Sequence, residues 1–262
     1  MLKRRLILSA LVVALLVSAP LAARQQSAPN NARERARAPY ESGLAHLRNE
    51  KLEDAVRSFE EAIRLDETFD SAYYMLGRTH MALRNYVSAV LALQKCRDLY
   101  QADSTRQFTN KQERQRLIRD RLRDIEQLIG DTTAAAQRPA NATRRFAMLE
   151  QVRQYEEQRR QLQDLDRNDT LQSTTPVPAY VSLALGSAYF RSGKLPEAEQ
   201  AYLATVAADS KVGEAHNNLA VVYMETGRYD QAEKAVKAAE KAGLKVPQAL
   251  KDEIQKRKKV GS

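Results

Sequence analysis

The feature that most constrains this chain is an internal period of 34 residues. Gly43 and Gly77 stand 34 apart, as do His46 and His80, and Ala55 and Ala89. The offset returns in the second half, where Leu185 matches Leu219, Tyr189 matches Tyr223, Gly193 matches Gly227, Leu195 matches Tyr229 and Ala198 matches Ala232. A period of this length is one supersecondary unit, too small to bury its own apolar face, so copies must stack into a solenoid. Each unit divides once, near Gly193-Lys194 or Gly227-Arg228, into two segments with helical spacing of apolar residues. Small residues (Gly77, Gly186 and Ala220; Ala55, Ala89, Ala198 and Ala232) fall where two helices would cross closely. Large ones (Leu76, Leu195, Tyr189, Tyr223, Tyr229) fill the spaces between.

Composition agrees with helices throughout. Ala, Leu, Glu, Gln, Arg and Lys dominate, with nine Gly, eight Pro and no Trp in 262 residues, and these abundant residues are the good helix formers. The expected class is all-α.

The repeat residues also resemble a known pattern. Leu185-Gly186, Tyr189, Gly193, Ala198 and Tyr202 are similar to the tetratricopeptide-repeat motif. The order recurs as Leu76-Gly77, His80, Tyr86, Ala89 and Leu93, and more weakly as Gly43, Leu52, Ala55, Phe59, Ala62 and Leu65. The resemblance covers 36–103 and 179–246. It implies a helix-turn-helix solenoid whose inner helices line a concave groove that holds a protein or peptide. The matching groove positions here are Tyr74, Arg78 and Met81, then Leu183, Ser187 and Phe190, then Asn217, Val221 and Met224. Their mixture of aromatic, Met and polar groups suits an extended or helical peptide. A carboxylate clamp of Lys, Arg and Asn is not assigned, because only Arg78 and Asn217 have that character.

The expected organisation is repeats 1–2 over 39–103, an insert and linker over 104–178, repeats 3–4 over 179–246, and a capping helix with a basic tail over 247–262. The insert lacks the small-residue pattern. Thr105 to Ile129 reads as a charged helix with one apolar seam of Ile118, Leu122, Ile125 and Ile129. Gly130 to Asn141 reads as a break. Ala142 to Asp166 reads as a second helix with Met148, Val152, Tyr155, Leu162 and Leu165 in its seam, interrupted by Arg159. The two are expected to form an antiparallel hairpin projecting from the repeats, and the seam equally suits homo-oligomerisation. Leu250 and Ile254 of the last helix are expected to cover the end of the final repeat, with Lys251, Lys256, Arg257, Lys258 and Lys259 in water.

Residues 1–23 have the layout of a secretory signal: Lys3, Arg4 and Arg5, an apolar run from Leu6, and small residues up to Ala23. The expected location is periplasmic or secreted. The alternative is a membrane-tethered assembly component held in the inner membrane by an uncleaved span over 6–23. Residues 24–38 hold no large apolar residue and read as a flexible leader.

Catalytic chemistry is not visible. Cys96 stands alone, so no disulfide forms within one chain, and it reads as a buried small residue. His46, His80 and His216 lack metal-ligand spacing, so neither a metal nor another cofactor is expected. Glu60-Glu61 and Glu156-Glu157 diverge by ~100° on a helix. No phosphate-binding loop or nucleophile elbow occurs. The net charge of +9 includes three residues of the leading segment, and the signs elsewhere are mixed, which argues against nucleic acid as a partner. The expectation is a non-enzymatic scaffold with a protein or peptide partner.

Overall fold

The computed structural model describes residues 29–108, 110–138, 141–167 and 176–260. Eleven α-helices run through them. α1 (Pro29–Arg48) pairs with α2 (Leu52–Leu65), and α3 (Asp70–Ala82) pairs with α4 (Tyr86–Ser104). The insert supplies α5 (Lys111–Gln137) and α6 (Ala142–Arg167). α7 (Ala179–Arg191) then pairs with α8 (Leu195–Ala208), and α9 (Gly213–Glu225) with α10 (Tyr229–Lys241), before α11 (Gln248–Val260) closes the chain.

The 34-residue period is a backbone period as well. Lys51, Asn85 and Lys194 each donate a backbone N–H to the carbonyl five residues earlier, on His46, His80 and Tyr189, at 2.9 Å; Arg228 does so to Tyr223 at 2.8 Å. This is the six-to-one bond of a Schellman stop. The residue before each donor is left-handed, with φ of 57° at Glu50, 58° at Arg84, 78° at Gly193 and 73° at Gly227. Glycine suits the last two, whereas Glu50 and Arg84 adopt the same turn at a cost of about 1–2 kcal/mol each.

The crossing between paired helices explains the small residues. A methyl group built on Gly186 would lie 2.6 Å from the Tyr202 ring, and one on Gly77 2.5 Å from Leu93. Gly186→Ala is therefore expected to lose about 1–3 kcal/mol to overpacking and regain about 1 kcal/mol of helix propensity. A urea titration checks the net loss, and an undiminished midpoint would contradict so close a crossing.

The insert interrupts the sequence but not the stack. α7 packs on α4 as α3 packs on α2 and α9 on α8. Across that junction Gln94 Nε2 donates to Tyr189 Oη at 2.7 Å. Four helix pairs thus share one apolar core, in which Ala55, Phe59, Ala89, Leu93, Leu185, Ala198, Tyr202 and Ala232 are all buried.

α5 and α6 pair antiparallel: Arg114, near the start of α5, donates to the Leu165 carbonyl near the end of α6 at 2.7 Å. Three expectations need correction. First, the hairpin does not project. It lies back against the inner helices, because α5 turns charged groups inward that find opposite charges there. Arg121 Nε pairs with Asp70 at 2.7 Å and its Nη2 with Asp103 at 2.8 Å. Asp124 accepts from Arg37 at 2.7 Å and from Ser71 at 3.2 Å. Second, the leader from Pro29 onward is helix. α1 runs through Pro39, and Ala36 and Arg37 are buried. Arg33 bonds Asp66 and lies 4.2 Å from the Phe69 ring centroid, while Arg37 also reaches Asp120 at 3.0 Å. Residues 24–28 lie outside the described residues, as does the signal-like segment. Third, α5 continues through Gly130 to Gln137. A glycine costs only about 1 kcal/mol in a helix, and the Arg48–Asp131 pair at 2.9 Å and burial of Ala136 hold the last turns.

Cys96 is fully buried, and burial pushes its thiol well above the ordinary range. α11 packs on α10 and α9 through Ile254, which is buried. Three of its basic residues face acids on those helices: Lys251 meets Glu240, Arg257 meets Glu225, and Lys258 meets Asp230 and Glu233. Exposed pairs of this kind are screened by solvent and contribute little, so the apolar contact anchors the cap.

Candidate partner-binding surface

The nine groove residues expected from the sequence separate into two groups. Tyr74 and Arg78 sit on the inner face of α3, and the chain's own α6 covers them. Tyr74 Oη lies 3.0 Å from Tyr155 Oη. Arg78 Nη1 donates to Tyr155 Oη at 3.0 Å and its Nη2 to Gln151 Oε1 at 3.2 Å. The Tyr155 ring meets Tyr180 edge-on, at 5.0 Å between centroids and 84°, and Tyr74 edge-on at 6.4 Å and 85°. Aromatic pairs favour this geometry. Burial raises the Tyr155 phenol well above the ordinary range, so it stays a neutral donor and acceptor. Met81, one turn on, is half-buried against the core.

The other six lie together on α7 and α9, beyond this tyrosine cluster. Leu183 and Phe190 are half-buried against the core, and Met224 is buried. Ser187 is half-buried and accepts from Tyr202 Oη at 3.4 Å. Val221 and Asn217 are half-buried, and the Asn217 Oδ1 has no hydrogen-bond partner among the described residues. Tyr74 and Arg78 are thus not brought to one open surface with the α7 and α9 residues. The covering helix divides the concave face.

Two further features were missed by sequence reasoning. Phe146 and Leu149 on α6 are 48% and 51% exposed, which is high for such side chains. They share a helical face with Arg153 at spacings of three and four. Arg153 bonds Asp209 at 3.3 Å and the Lys211 carbonyl at 3.3 Å, in the α8–α9 turn. That face of α6 therefore looks toward repeats 3–4. Near it, burial first and then the Glu150 charge raise the Glu214 carboxyl on α9. The second feature is a cleft of ≈ 640 Å³ between α1, α3 and the turn end of the hairpin. Neither was legible from periodicity, since both depend on where the hairpin docks.

Among the described residues no group of three or more His, Cys, Asp or Glu could hold a metal ion. No helix among them is long and apolar enough to cross a membrane.

Comparison with known proteins adds a family. The family model described as tetratricopeptide repeat matches residues 40–104 and 183–244. Among solved structures, the chain is similar to PilW, described as a widely conserved type IV pilus biogenesis factor, at 16% identity and a TM-score of 0.38, covering 85% of each chain. It is similar to TTC0263, a thermophilic TPR protein of Thermus thermophilus, at 18% identity and a TM-score of 0.28, covering 85% of this chain and 98% of that one. It is also similar to YrrB, described as a TPR protein with an unusual peptide-binding site, at 16% identity and a TM-score of 0.26, covering 78% and 84%. No curated protein matches the sequence.

Proposed function

Since the chain belongs to the tetratricopeptide-repeat family, we propose that it is an exported, non-enzymatic scaffold that holds a protein partner in the half of its groove left open by its own hairpin. One observation carries the placement: α6 covers Tyr74 and Arg78 but turns exposed Phe146 and Leu149 toward repeats 3–4. Leu183, Phe190 and Val221, half-buried on α7 and α9, add apolar surface to that half. Exposed large apolar side chains grouped in this way favour a protein contact. The signal-like start, with Lys3 to Arg5 before an apolar run, supports the cell envelope as the place of action. Recognition would rest on a preformed curved surface.

The test is photo-crosslinking in cells, with the reactive amino acid placed in turn at Phe146, Ser187 and Val87. Val87 lies on α4 and is 69% exposed, so it serves as the outer-surface control. The expected result is one common adduct from Phe146 and Ser187 and none from Val87. Equal labelling at all three positions, or none at the first two, would refute the placement.

A further inference from the structure

The cleft at the turn end of the hairpin has a chemistry of its own, apart from the open half of the groove. Half of its wall comes from the repeats and half from the insert, so it exists only while the hairpin is docked. Its floor carries Met75, Leu128 and Met148. Unbranched Met side chains adapt to varied apolar shapes. Its volume of ≈ 640 Å³ falls among pockets that enclose ligands, about 300–1,000 Å³.

The rim is basic. Four guanidinium groups stand around it against two carboxylates, Glu50 and Asp131. Arg48 is engaged with Asp131 and Arg78 with Tyr155. Arg138 donates to the Arg48 carbonyl at 3.2 Å, and neither Arg138 nor Arg144 forms an ion pair with a described residue. Both are exposed. Two charges are thus left over above an apolar floor.

We propose that this cleft docks an acidic amphipathic segment of a partner protein. Apolar side chains of the segment fill the Met75–Met148 floor, and its carboxylates meet Arg138 and Arg144 as charge-assisted bonds. Thr132 on the wall offers a hydrogen bond that an acyl chain cannot use, which favours a peptide over a fatty anion.

Fluorescence anisotropy with the full chain tests this. The probes are two labelled helical peptides with the same leucine face, one carrying Glu and one carrying Lys on the polar face. The Glu peptide is expected to bind at least about tenfold tighter, and to weaken with added salt. The double variant Arg138→Glu/Arg144→Glu should lose about tenfold or more for the Glu peptide, with helicity by circular dichroism unchanged. Ser187→Tyr, in the other half of the groove, should leave this binding untouched, so the result does not depend on the crosslinking above. Equal affinity for the two peptides, or an unaffected double variant, overturns the proposal. Binding of oleate with no binding of the Glu peptide also overturns it and assigns the cleft to an acyl anion.

Discussion

Tyr155→Ala is expected to destabilise the protein by about 3–5 kcal/mol, the range for removing a fully buried aromatic side chain. Tyr155 is wholly buried at the point where α6 meets two repeats. Its ring packs on Tyr74 and Tyr180, and its hydroxyl meets Tyr74, Arg78 and Gln151 at 2.8–3.0 Å. Truncation leaves a cavity between three helices and strips the half-buried Arg78 guanidinium of one acceptor. Tyr155→Phe keeps the ring and removes only the hydroxyl, so it should cost about 1–3 kcal/mol, the penalty for buried polar groups left unpaired. The order wild type, Phe, Ala in urea midpoint separates shape from hydrogen bonding. Amide exchange should locate the damage, with α6 losing protection before α8 to α10. A Tyr155→Ala protein within about 1 kcal/mol of wild type would mean that α6 is not held at this cluster, and the division of the groove would fall with it.

How much of this was open to a sequence reader depends on the distance over which each residue finds its partner. The repeats were legible because their signals are local: a small residue meets a ring about 16 positions on, as Gly43 meets Phe59 and Gly186 meets Tyr202. The turn is encoded within six residues. The insert's seam was equally local, and Ile118, Ile125, Tyr155 and Leu162 are indeed buried. What the seam cannot encode is docking. Arg37 pairs with Asp124 87 positions away, and Tyr74 meets Tyr155 81 positions away. In sequence, Arg33 and Arg37 are two basic residues of a polar leader, and Asp120 and Asp124 are ordinary charges on a solvated helix. Only in the fold do they become each other's partners. The division of the candidate groove was hidden for the same reason. Its residues were assigned from their own repeats, and the element that covers two of them lies in the segment with no repeat signal.

The largest electrostatic effect is expected from Arg121→Met. Arg121 and Asp70 are 2% and 1% exposed and lie 2.7 Å apart. Removing one member of a buried pair typically costs about 3–5 kcal/mol, because the other charge is left uncompensated. The pH dependence identifies that charge. Burial by itself would raise the Asp70 carboxyl, but Arg121 first and Arg33 next more than reverse this, so it sits below the usual range. In the wild type its contribution is present above the unfolded value of about 3.9 and is lost as pH falls through the lower folded value. Without Arg121, burial dominates and the carboxyl rises above its unfolded value. The variant then loses stability as pH climbs through that window. The deficit relative to wild type should therefore be small near pH 3 and largest at neutral pH. Asp70→Asn added to Arg121→Met should recover much of the loss at neutral pH, since no uncompensated charge remains at that position. Salt should change the deficit little, because a pair this deeply buried is poorly screened. A deficit that stays constant from acid to neutral pH would show that Arg121 acts through packing on Tyr100, whose ring centroid lies 4.1 Å from its guanidinium, and one that survives undiminished in the double variant would assign the effect to that packing or to Asp103, 2.8 Å from Nη2, and not to Asp70.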